Sequence, residues 1–302
     1  SDGVISLGAL RWLADQNAAF VMLERDGTIL ATTGPVRPSD VRLRRAQAFA
    51  AQNGTALRIA QELISKKIAG QELVAREKIQ SHETAEAIAA HGKAIPSAKS
   101  IDAVRLIESR AAQAYWSAWS AVQISFPKND LLRIPNHWKS FGVRSSPLSG
   151  SPRLAVNPAN AILNYLYALL EAEARLAASA MGLDSGIGML HLDTVNRDSL
   201  ACDLMEPIRP QVDAFLFDWV SSQPLKRDWF FEQRTGNCRL MADLTAQLSE
   251  TIPAWRRAAA PWAEWVAQTV WSGRAKSVEK QGPPTRLTQS RKREAKGVRA
   301  TP

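Results

Sequence analysis

From Val41 onward helical patterning dominates, interrupted by Gly, by Pro and by one long connection. That pattern predicts a mainly α protein. Helical runs are expected over roughly Val41–Gln52, Thr55–Gln80, Glu83–His91, Ser100–Val122, Asn157–Gly182, Asp198–Val220, Arg239–Glu250 and Pro253–Trp271. Asn157-Pro158 makes a good helix start, because Asn caps and Pro at the first helical position loses no needed N–H. The stretch Gln123–Val156 carries Pro127, Pro135, Pro147 and Pro152 and reads as a long, functional or mobile connection. With 302 residues, 45% hydrophobic and 22% charged, the chain has enough apolar side chains for a sizeable core. The longest apolar stretch, Ile162–Met181, holds Glu171, Glu173 and Arg175, which argues against a membrane span.

Before Val41 the pattern changes. Phe20–Leu23 and Thr28–Thr32 flank Asp26-Gly27, a hairpin signal, after a short helix over Ser6–Ala14. Gly34, Pro35 and Pro38 mark a linker. The expected organisation is a small β unit over 1–33, a linker over 34–40, a helical domain over 41–272 and a basic tail over 273–302. The tail holds nine basic against two acidic residues, so most of the net charge of +9 belongs to it. Cys202 and Cys238 have no metal-type spacing, and no signal segment opens the chain, so a reducing cytoplasm is expected.

Three places carry candidate chemistry. Glu108 projects from an apolar helix face, with Val104, Ala111, Ala112, Tyr115 and Trp119 within about 60° of it. A carboxylate there needs an ion-pair partner, a proton or a metal. His191 follows a Gly-rich turn, where it is either a hydrogen-bonded structural residue or a ligand. Asp203 and Glu206 share a helix face and repel unless a cation lies between them, with Arg209 and a metal ion as the two candidates. Two or three carboxylates with one imidazole suit Mg2+ or Mn2+ better than Zn2+.

The segments NPANAILNYLYALLEAEARL, GLDSGIGMLH and RDSLACDLMEPIRPQVDAF resemble the CRISPR-associated endonuclease/integrase of spacer acquisition, the CRISPR-associated protein one family. Upstream IESRAAQAYWSAW looks like that family's glutamate helix, and downstream FFEQRTGNCRL like a further block, so the likeness spans roughly Ile101 to Trp271. It implies an all-α catalytic domain behind an N-terminal β domain, of which only a truncated remnant is expected here. It also implies a divalent ion held by Glu108, His191 and Glu206, with Asp203 as a supporting member of the catalytic set. Glu171 and Glu173 compete with Glu108, but the Glu-Ser-Arg-Ala-Ala pattern favours Glu108.

The implied reaction is attack of a DNA 3′-hydroxyl on a phosphodiester of the CRISPR repeat, with hydrolysis when water replaces the hydroxyl. The implied partners are double-stranded DNA (spacer precursor and repeat), a small CRISPR-associated subunit, and a second copy of the chain. The short N-terminus weakens the expectation of a homodimer. Arg133, Lys139, Arg144 and Arg153 are candidate DNA contacts in the long connection, and the tail would bind DNA without sequence preference. Trp116, Trp119, Trp255, Trp262 and Trp265 are spaced for packing, and Asn157, Asn160 and Asn164 for structural hydrogen bonds. A non-catalytic helical DNA-binding protein and a related transposon integrase are the alternatives left open.

Overall fold

In the computed structural model, residues 3–16, 18–23, 29–34, 40–144, 154–191, 193 and 197–273 are described. The hairpin turn at Asp26-Gly27, most of the linker, Arg153 and the basic tail beyond Gly273 lie outside them. A short helix, α1 (Leu7–Asp15), precedes an antiparallel pair, β1 (Phe20–Leu23) and β2 (Ile29–Thr33). The helical part begins with α2 (Val41–Ala48), capped by Asp40, whose carboxylate accepts from the amides of Arg42 and Leu43. α3 (Thr55–Leu73), α4 (His82–Gly92) and α5 (Ile101–Trp119) then pack against one another. α3 does not continue regularly to Gln80 as its periodicity predicts. It widens into a π-helical turn over Val74–Lys78, and Gln80 ends it with φ +60°.

α6 (Pro158–Met181) is the axis of a second group. The Asn157 side chain caps its start, and Gly182 closes it at φ +78°, as the sequence predicts. Against it pack α7 (Ser199–Met205), α8 (Arg209–Ser222) and α10 (Ile252–Ser272), with α9 (Ala242–Ser249) at its side. The single helix expected over Asp198–Val220 is in fact two. Pro207 and Pro210 cannot donate to the carbonyls one turn back, so residues 206–208 form a turn between α7 and α8. The FFEQRTGNCRL segment forms a second hairpin, β3 (Phe230–Glu232) with β4 (Cys238–Leu240), which helical patterning does not announce.

The connection after α5 is not loose in its described part. Trp138 and Phe141 are fully buried, and the amide of Phe141 donates to the carbonyl of Val122. Asn157 and Asn160 both donate to the Phe141 carbonyl at 2.8 Å, which ties this segment to the first turn of α6. Trp119 and Trp255 are buried, and Trp116, Trp262 and Trp265 pack on the core, as expected from their spacing. No helix among the described residues is long and apolar enough to cross a membrane. α3 touches both helix groups, packing on α4 and α5 on one side and on α7, α8 and α10 on the other.

Candidate active site at the seam of the two helix groups

Four stretches of chain meet where α3 lies between the groups. α5 presents Glu108 on the face of Val104, Ala111, Tyr115 and Trp119, all buried. The turn between α7 and α8 presents Glu206, and the first residue of α8 is Arg209. The loop after α6 brings His191, and α3 brings Lys67.

The loop is shaped around Asp203. Its buried carboxylate accepts from the backbone amides of Met189 at 2.5 Å, Leu190 at 3.0 Å and His191 at 3.0 Å, and meets His191 Nδ1 at 2.6 Å. A carboxylate only accepts, so Nδ1 carries a proton, and the ring is turned with Nε2 toward Glu206. That nitrogen lies 3.9 Å from Glu206 Oε1. Gly188 makes the tight wrap feasible, since a Cβ there would stand 2.6 Å from the His191 carbonyl oxygen and 2.8 Å from Ser199 Cβ. Arg105 of α5 donates through Nε to the Leu190 carbonyl at 2.7 Å, fixing the loop to the helix that carries Glu108.

Lys67 is the central cation. Its ammonium stands 2.5 Å from Glu108 Oε1 and 2.6 Å from Glu206 Oε2, and the residue is only 8% exposed. Arg209 Nε lies 3.2 Å from the other oxygen of Glu206, and its guanidinium sits 4.7 Å from the Tyr167 ring centre. Burial alone would raise the Glu206 carboxyl, but Arg209 foremost, with Lys67 and His191, outweighs it and holds the group at about 2. Burial alone would lower Lys67, but Glu206 and Glu108 outweigh it and hold the ammonium above its ordinary value.

The structure therefore gathers Glu108, His191, Glu206 and Asp203 into one cluster. The ion-pair alternatives are present as well: Lys67 for Glu108, and Arg209 with Lys67 for Glu206. Two carboxylates are hard donors suited to Mg2+ or Mn2+, and an imidazole nitrogen is a borderline donor that can join them. Glu206 Oε2 is buried with no hydrogen bond, and a cation already stands against it. In donor chemistry the residues fit a divalent ion. As they stand, no three acid, imidazole or thiol groups among the described residues close around one point.

The candidate DNA contacts divide. Arg133 is exposed, with Asp130 at 3.4 Å and Asp228 at 3.7 Å, and Lys139 donates to Asn136 at 2.9 Å. Arg144 is drawn inward, donating to Asn160 at 3.3 Å and Asn164 at 2.8 Å beside the rings of Trp116 and Tyr167. Lys67 was not anticipated, although Ile59, Leu63 and Lys67 follow one another at i+4 along the buried face of α3. The same periodicity that singles out Glu108 would have found it.

The fold and site define a helical protein with a carboxylate–imidazole centre held between two helix groups. Over residues 2–252 the chain matches the family described as CRISPR associated protein Cas1. It is 32% identical over 255 residues to the CRISPR-associated endonuclease Cas1 1 of Archaeoglobus fulgidus, covering 78% of this chain and 70% of that protein. Among solved structures, a Cas1 protein from Thermotoga maritima is similar with a TM-score of 0.70 at 18% identity, covering 91% of this chain and 85% of that one. A casposase bound to an integration product gives 0.65 at 23% identity, covering 93% and 85%. A chain of the Cas6-RT-Cas1–Cas2 complex gives 0.67 at 18% identity, covering 89% of this chain and 30% of that one. The chain belongs to the Cas1 family.

Proposed function

We propose that this chain is a metal-dependent DNA endonuclease/integrase that inserts new spacers into a CRISPR array in the cytoplasm. The observation that carries the reading is a chain of contacts joining three separate stretches: His191 Nε2 lies 3.9 Å from Glu206, and the Lys67 ammonium stands between Glu206 and Glu108. These residues would hold Mg2+ or Mn2+, which when bound would supply Lewis acidity to an attacking oxygen and offset negative charge at phosphorus. The protein's own part is orientation. Asp203 fixes the ring of His191 with Nε2 toward the site, and Arg209 keeps Glu206 ionised. A DNA 3′-hydroxyl as nucleophile gives strand transfer into the repeat, and water in its place gives nicking.

Double-stranded DNA is the substrate. Arg133, Lys139, Arg144, Arg153 and the basic tail are its candidate phosphate contacts. A Cas2-type small subunit is the proposed partner, supported by the likeness to a chain of a Cas1–Cas2 assembly. A second copy of the chain is a further proposed partner. A second reading, integration of a transposon end, is favoured by the likeness to the casposase bound to its product. Offering the same preparation a leader–repeat target and a transposon-end donor separates the two.

The test of the main reading is His191→Ala. Mn2+-dependent strand transfer should vanish while the helical circular-dichroism signal stays unchanged. Wild-type strand transfer by that variant would overturn the assignment.

A further inference from the structure

Lys67 is a buried cation of the site that donor chemistry for a metal does not require. It sits on the apolar stripe of α3 after Ile59 and Leu63, where a lysine costs free energy unless its ammonium is fully paired. The pairing is with the two carboxylates that the proposed function gives to the metal. Close approach of the helices holds it there. A Cβ on Gly70, one turn further along α3, would lie 2.7 Å from Pro210 Cβ, so the absent side chain lets α3 seat against the start of α8 beside Glu206.

Resting on that functional reading, we propose that Lys67 is a resident place-holder, whose ammonium neutralises Glu108 and Glu206 in the metal-free protein and is displaced when a divalent ion binds. Two cations cannot share the space between the same two oxygens without strong repulsion. The ion therefore competes with a charge built into the chain. The four flexible carbons of a lysine side chain supply the freedom for the ammonium to leave. The place-holder has two consequences. The helices stay assembled without metal, and intrinsic metal affinity is lower than the carboxylates alone would give.

The experiment is acetylation of the full wild-type chain with an amine-reactive ester, read residue by residue by mass spectrometry, with Mn2+ binding followed by calorimetry. Neighbouring Lys66, exposed and paired with Glu62 at 3.6 Å, is the internal standard. In chelator, Lys67 should label far more slowly than Lys66; at saturating Mn2+ its rate should rise toward that of Lys66. Unchanged protection of Lys67 in a chain that binds Mn2+ overturns the place-holder and leaves the metal reading standing. No Mn2+ binding at all overturns both. A Lys67→Met variant should bind Mn2+ at least about fivefold tighter than wild type, the lower end of ordinary coupling between two ligands. Equal or weaker binding by the folded variant overturns the proposal, and if the variant does not fold, the labelling of the wild-type chain decides alone.

Discussion

Two buried carboxylates lie within two helical turns of each other, Glu206 just before α8 and Asp213 inside it, and they are stabilised in opposite ways. Glu206 is surrounded by charge, from Lys67, Arg209 and the ring of His191, and is held at about 2. Asp213 is bound by neutral groups: Tyr115 donates to it at 2.9 Å and Tyr167 at 2.6 Å. Burial pushes Asp213 up to about 6, and those two phenols with Arg209 only partly offset it. The contrast separates a centre held by charge from one held by neutral donors. Phenols satisfy a carboxylate without a countercharge, whereas carboxylates buried side by side need a cation between them.

The largest expected effect breaks the charged centre. Arg209→Met leaves the buried Glu206 with Lys67 as its main partner and should lower stability by about 3–5 kcal/mol, as does removing one member of a buried ion pair. Tyr115→Phe removes one neutral hydrogen bond from Asp213 and should cost only about 1–3 kcal/mol. Urea unfolding of both variants at neutral pH in chelator makes the comparison. Equal costs would show that the two centres are not held by different forces.

The second effect is a pH dependence with a defined sign. Asp213 is raised from 3.8 to about 6, so it is protonated in folded and unfolded chains alike well below pH 4 and contributes nothing there. Between those values the unfolded chain ionises it freely and the folded chain does not. Its contribution therefore falls as pH rises, by about 3 kcal/mol once pH passes the folded value. Asp213→Asn should remove that slope. The stability difference between wild type and variant, measured by urea unfolding from pH 4 to pH 7, should run steadily against the wild type. A flat difference would mean that the phenols fully compensate for burial.

The sequence reveals these two centres unequally. Glu108 is legible because helical periodicity places it among Val104, Ala111, Tyr115 and Trp119, and that face is the buried one. The limits of α6 are legible because Asn157, Pro158 and Gly182 act through local backbone chemistry. The division of α7 from α8 was open to the same local chemistry through Pro207 and Pro210, but the surrounding helical pattern runs straight across it. The wrap of Met189–His191 around Asp203 is different in kind. It depends on a loop folding back on a helix that follows it, with no periodicity to announce it. The meeting of Lys67 with Glu206 spans a still longer separation, and it depends on how closely α3 and α8 approach.

That approach can be tested by the smallest of the expected effects. Gly70→Ala places a methyl group where Pro210 Cβ and Cγ stand at 2.7 and 2.8 Å, so α3 and α8 must separate slightly. Overpacking of this kind costs about 1–3 kcal/mol. Part of the cost should fall on the Lys67–Glu206 pair, whose 2.6 Å contact depends on the same helix spacing. A double-mutant cycle isolates that part: once Lys67→Met has removed the pair, Gly70→Ala should cost less than it does in the wild-type chain. Strict additivity would show instead that the flexible lysine side chain follows the helix movement without loss, and that the charged centre depends less on helix spacing than on the carboxylates themselves.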